Sequence, residues 1–112
     1  MGRQSFAPRQ EAADAALVLG AAIRSARVDR GWTQEQLGNA IGASARTIHS
    51  LERGIHTVSI GHVFSAAGVL GVPLFGEDRE GLARAAGSAR YIESLLPKRV
   101  ATSRRLDIDD DF

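Results

Sequence analysis

Residues 33–54, TQEQLGNAIGASARTIHSLERG, most limit what this chain can fold into. The stretch holds two helix starts and two helix stops, with room only for two short helices between them. Thr33 followed by Gln36 is a capping box, in which each side chain satisfies a backbone N–H at the helix start. Ser44 opens the second helix. Gly42 and Gly54 stand where each helix must stop, because glycine enters the left-handed conformation at low cost. Leu37 and Ile41 share one helical face, as do Ile48 and Leu51. Helices this short are marginal alone, so the rest of the chain must provide the surface on which they pack.

The flanking sequence reads as that surface. Residues 1–10 contain Gly2, Pro8 and no apolar period, and are expected to form a flexible arm. Residues 11–30 are alanine-rich and read as one helix, its inner stripe formed by Leu19, Ile23 and Ala26 and extended by Ala16 and Leu17. Asp14 near its start and Arg27 and Arg30 near its end suit the helix dipole. Gly31 ends it, and Trp32 precedes the Thr33 cap, where an apolar side chain can staple onto the next helix. Ser59 caps a further helix over 60–70, with Ile60, Val63, Phe64, Ala67 and Leu70 at helical spacing and Gly71 and Pro73 closing it. Val72, Leu74 and Phe75 form a short apolar turn or small helix that caps the core or lines an interface. A last helix is expected over 80–96, with Leu82, Ala85, Ala86, Ala89, Ile92 and Leu96 on one broad face. Gly81 and Gly87 weaken it by ~1 kcal/mol each relative to alanine. From Pro97 basic residues give way to Asp107, Asp109, Asp110 and Asp111, the pattern of a solvated tail. The organisation is thus an arm (1–10), a compact domain (11–76), a helical extension for dimer or partner contact (77–96) and a charged tail (97–112). The fold class is all-α with five helices.

Composition narrows the function. Apolar residues make up 44% of the chain, many of them alanine, which favours a small helical core over an aromatic-rich β-sandwich. The net charge of +1 is uninformative, but Arg24, Arg27, Arg30, Arg46 and Arg53 outnumber Asp29, Glu35 and Glu52 around the central stretch. With no cysteine there is neither a disulfide framework nor thiolate chemistry. No apolar run reaches the ~18 residues of a membrane span and no signal peptide is evident, so a cytoplasmic protein without membrane contact is expected. The spacing of His49, His56 and His62 fits no standard metal site. Ser44, Thr47 and His49 lack the oxyanion loop or strand–turn–helix elbow of a hydrolase, and no phosphate-binding glycine loop is present. Neither an enzyme nor a cofactor is expected.

Residues 19–72 resemble the XRE (lambda-repressor/Cro type) helix-turn-helix family. The resemblance rests on Arg27, Gly31, Thr33-Gln34, Leu37, Gly42, Ser44, Ile48, Glu52-Arg53-Gly54 and Leu70-Gly71-Val72 at matching spacing. It implies a homodimer on a palindromic operator in double-stranded DNA, with half-sites about one helical turn, ~34 Å, or a multiple of it apart. By the same resemblance Thr33 and Gln34 face phosphate, and Ser44, Ala45, Arg46, Thr47, His49 and Ser50 lie on the helix that enters the major groove. Arg46 is the expected base reader, since arginine can be bidentate to guanine. Arg27 and Glu52 are expected to form a structural ion pair. The sequence departs from the family in the loop Ile55-His56-Thr57, which is less basic than usual and leaves His56 as its candidate contact. Val58 stands where proline is usual, and Gly38 where the small residue is normally alanine.

The C-terminal third resembles HipB-type antitoxins, through Leu96, Pro97, Lys98, Arg99 and Val100 and the acidic end from Asp109 to Phe112. That resemblance implies autoregulation of an operon and binding of a HipA-like serine/threonine kinase toxin. Two alternatives stay open: a stand-alone regulator, and a protein-interaction module that has lost DNA binding.

Overall fold

The computed structural model describes residues 7–100, so most of the expected arm and residues 101–112 of the expected tail lie outside the described residues. Five helices follow one another: α1 (Gln10–Arg30), α2 (Gln34–Ile41), α3 (Ala45–Glu52), α4 (Ile60–Leu70) and α5 (Arg79–Leu95). The all-α reading holds.

The caps act as the sequence implies. Thr33 Oγ1 accepts from Gln36 N–H at 3.0 Å, and the Gln36 side chain accepts from Thr33 N–H at 2.8 Å. Ser44 Oγ accepts from Thr47 N–H at 3.0 Å. At Gly42 (φ 76°) the chain turns left-handed, and Ala43 N–H returns to the Gly38 carbonyl at 2.8 Å. Gly54 (φ 77°) closes α3 likewise, with Ile55 N–H on the Ser50 carbonyl at 3.0 Å. These are Schellman closures, which satisfy carbonyls that a helix end would otherwise orphan.

The core lies where α1, α2, α3 and α4 meet. Ile23, Leu37 and Ile48 are fully buried, joined by Leu51, Ala66, Ala67 and Leu70. Fully burying an aliphatic side chain contributes ~1.5–3 kcal/mol, so three such residues outweigh the marginal propensity of two eight-residue helices. Trp32 packs on this cluster, and the Arg30 guanidinium lies 5.0 Å from its ring centroid.

Two details correct the expected core, and a third decides for the turn over the small helix at residues 72–75. Leu17 is 56% exposed and Gly20, one turn on, is buried instead. A Cβ on Gly20 would lie 2.5 Å from the Leu51 carbonyl oxygen, so α1 can cross the end of α3 only where it has no side chain. Ile60 is 67% exposed while Ala66 is buried, because α4 faces its neighbours through a stripe of small residues. Residues 72–75 form no helix. They turn through an isolated Leu74–Glu77 bridge, with Phe75 in the left-handed region and its ring edge-on to Phe64 at 6.0 Å.

The extension is a helix, but it hardly touches the body. Asp78 caps α5 through the Gly81 N–H at 2.8 Å, Gly81 is buried and Leu82 is half-buried. From Ala83 to Val100 every residue is exposed.

Gly38 is a second close approach, its α-carbon set against the Ala43 carbonyl. Helix propensity alone predicts that Gly20→Ala and Gly38→Ala stabilise by ~1 kcal/mol each. The backbone contacts reverse the sign: both variants are expected to lose ~1–3 kcal/mol, measured by urea unfolding, whereas Gly87→Ala on α5, with open space around it, is expected to be neutral or stabilising.

Candidate nucleic-acid interface

Helices α1 and α3 are tied by one buried ion pair. Arg27 Nε donates to Glu52 Oε2 at 2.6 Å and Nη2 to Oε1 at 3.0 Å, a bidentate fork between the end of α1 and the end of α3. Arg27 is 9% exposed and Glu52 7%. Two further groups complete the network: Arg27 Nη1 donates to the Trp32 carbonyl at 2.7 Å, and Gln34 Nε2 donates to Glu52 Oε1 at 3.2 Å. Among the described residues no buried side-chain polar atom lacks a partner. The hydrogen bond to Glu52 raises the pKa of Arg27 above the ordinary guanidinium value, the Glu52 charge adds to this, and burial opposes both.

This pair and the core fix how α3 is rotated. Ile48, Leu51 and Glu52 face inward and are buried. At 100° per residue, Arg46, His49, Ser50 and Arg53 then share the opposite side, while Ala45 lies beside Glu52 on the flank, at the helix start. Ala45, Arg46, His49 and Arg53 are exposed, and Ser50 is half-buried. The outward stripe therefore contains Arg46, His49 and Ser50 of the candidate readers and adds Arg53, which sequence reasoning left out. The signal was present: Arg53 lies four residues after His49 and seven after Arg46.

Not every candidate stands on that stripe. The Ser44 hydroxyl is committed twice, accepting from Thr47 N–H and donating to Thr47 Oγ1 at 3.0 Å. Thr33 is occupied by its capping box. Gln34 is half-buried and its amide is turned toward Glu52, so this residue braces the helix start rather than standing free for phosphate. The second amide hydrogen of Gln34 remains as a donor. His56 is exposed in the loop after α3. Beside α3, Arg46, Thr47 and Ser50 line a shallow hollow of about 320 Å³ together with Thr57, Ser59 and His62. The hollow joins the recognition helix to the start of α4, which spacing along the sequence does not show.

Two short helices at a tight turn, the second displaying a polar outward stripe with two arginines, form a surface suited to a DNA groove. Residues 23–76 match the family model described as Helix-turn-helix. That stretch is similar to helix-turn-helix domains. The match begins at Ile23 in the middle of α1 and ends at Gly76, just before α5, so it takes in the whole recognition unit and leaves the extension outside. Domains of this family are DNA-binding regulator domains, not typically enzymes. No curated protein and no solved structure matched the chain. Among the described residues no helix is long and apolar enough to cross a membrane.

Removing one partner of the buried pair leaves the other charge uncompensated, at a cost of ~3–5 kcal/mol. Glu52→Leu is expected to lose that much in urea unfolding. The double variant Arg27→Met/Glu52→Leu is expected to recover most of the loss, because well-packed apolar side chains can replace a buried ion pair at little net cost.

Proposed function

We propose that the chain is a sequence-specific transcriptional repressor that binds a palindromic operator as a homodimer. The observation that carries this reading is the outward stripe of α3. Its inner side is locked by Ile48, Leu51 and Glu52, which leaves Arg46, His49, Ser50 and Arg53 as a continuous polar ridge, with Ala45 exposed beside it at the helix start. In this reading α3 enters the major groove. Arg46 reads guanine, Ala45 and Ser50 make short contacts beside it, and Arg53 and His56 reach the flanking backbone. The N-terminus of α2 supplies unpaired N–H groups and the positive end of the helix dipole to phosphate. Gln34 orients that end through Glu52 and contributes its remaining amide hydrogen. Occupancy of the operator excludes the transcription machinery.

The grip on the backbone is light. Arg46 and Arg53 are the cations of the stripe, and the following loop contains histidine but no lysine or arginine. Fewer phosphate contacts mean a shallower loss of affinity with salt and a greater share of binding from base contacts and from joining two half-sites.

The biological setting we propose is that of an antitoxin that represses its own operon and binds a HipA-like kinase toxin, supported by the resemblance at Leu96, Pro97, Lys98, Arg99 and Val100. Co-expression with a candidate kinase tests it. Failure of the intact chain to co-purify sinks the antitoxin role and leaves a stand-alone regulator.

Gel shift against the chain's own upstream region, at moderate salt, tests the repressor reading. Affinity no greater than for random DNA defeats it. Arg46→Ala is expected to cost ~1–3 kcal/mol on the operator and to relax preference at defined base pairs. Arg53→Ala is expected to weaken all sequences alike and to reduce the salt slope by about one contact.

A further inference from the structure

We infer that the exposed apolar seam of α5 is the interface with a second copy of this chain, the two α5 helices packing antiparallel. This deepens the homodimer reading above and rests on it. Leu82, Ala85, Ala89, Ile92 and Leu96 repeat with spacing three, four, three, four, the seam of a coiled coil. Leu82 is half-buried against its own body, whereas Ala85, Ala89, Ile92 and Leu96 are exposed. Ile92 and Leu96 are 56% and 61% exposed among the described residues.

The order of side chains selects the occupant. Reversed on itself about the level of Gly87, the seam sets Leu82 opposite Ile92 of the second copy and Ala85 opposite Ala89, large against large at the ends and small against small in the middle. The alanines allow the two backbones to come close. The same register brings Arg79 of each helix alongside Glu93 of the other, giving two reciprocal opposite-charge pairs. Neither Arg79 nor Glu93 has an ion-pair partner among the described residues. Parallel alignment instead puts like charges at the same level. An isologous two-fold contact needs a self-complementary surface, and this seam is self-complementary in shape and in charge. Antiparallel pairing also places Leu96 of the second copy at the level of Asp78. There a groove of about 620 Å³ opens between α5 and the end of α4, lined by Val69, Val72, Pro73 and Leu74. The N-terminal ends of the two α5 helices, each next to a helix-turn-helix body, then lie ~24 Å apart along the pair, at 1.5 Å per residue.

Sedimentation equilibrium of the full chain tests this. Wild type is expected to be a dimer. Ile92→Glu is expected to raise the dimer dissociation constant at least tenfold with unchanged helix content, since the side chain touches no core residue. Arg79→Glu and Glu93→Arg are each expected to dimerise more weakly than wild type, and their equimolar mixture to recover wild-type association, because only the mixed pair restores both charge contacts. A monomeric wild type, an Ile92→Glu chain as dimeric as wild type, or a mixture no tighter than its components overturns the interface. A wild-type dimer that shows these responses but binds no operator supports the interface and defeats the repressor reading instead.

Discussion

The structure depends first on the Arg27–Glu52 pair. It joins the last turn of α1 to the last turn of α3, and its bidentate geometry fixes direction as well as distance. A charge buried this deeply persists only when paired and hydrogen-bonded, and here the Trp32 carbonyl and the Gln34 amide occupy remaining positions around the pair. An ion pair of this kind adds less to stability than its short distances suggest, because desolvation offsets much of the attraction. Its contribution is to orientation. A half-turn of α3 about its own axis, which places Glu52 outside and Arg46 inside, would strand two charges.

Two glycines let that pair form. Gly20 allows α1 to lie against the carbonyls of Leu51 and Glu52, and Gly54 brings the end of α3 against the backbone at Leu17. Along one side of α1 the contacts with α3 therefore run from Leu17 through Gly20 and Ile23 to Arg27, a brace of nearly three turns. Gly38 performs the same service between α2 and the turn at Ala43. Gly20 and Gly38 cost helix propensity locally, and all three glycines gain a backbone approach that alanine would prevent. Helix α3, only eight residues long, is thus held by α1 at its C-terminal end and by α2 beside it, and does not need intrinsic stability.

The proportions of the molecule follow. A small alanine-rich core holds four helices, while α5 leaves the body after little more than one turn of contact. The outward ridge of α3 has few cations, while α5 exposes Ile92, Leu95 and Leu96. Under the proposed function, a light grip on phosphate and an unpaired helix are two aspects of one design. In that reading, affinity drawn from joining two copies relieves each copy of the need for a large basic surface.

Much of this was legible in the sequence because it is local. Caps at Thr33, Ser44 and Ser59, stops at Gly42 and Gly54, and apolar spacing at Leu37, Ile48 and Leu70 each act within a turn or two, so the five helices and their order were determined by residues close in the chain. The spacing on α3 likewise determined which side chains share its outer face, Arg53 included. The tertiary structure alone decided what those faces meet. Leu17 and Ile60 have core character and core spacing but are exposed, while Gly20 and Ala66 are buried, because a close helix crossing selects for small size rather than hydrophobicity. Ser44 and Gln34, polar and placed for phosphate, are engaged by Thr47 and Glu52. Those commitments join residues up to eighteen positions apart, and a linear pattern carries no record of which of two polar partners a side chain meets first.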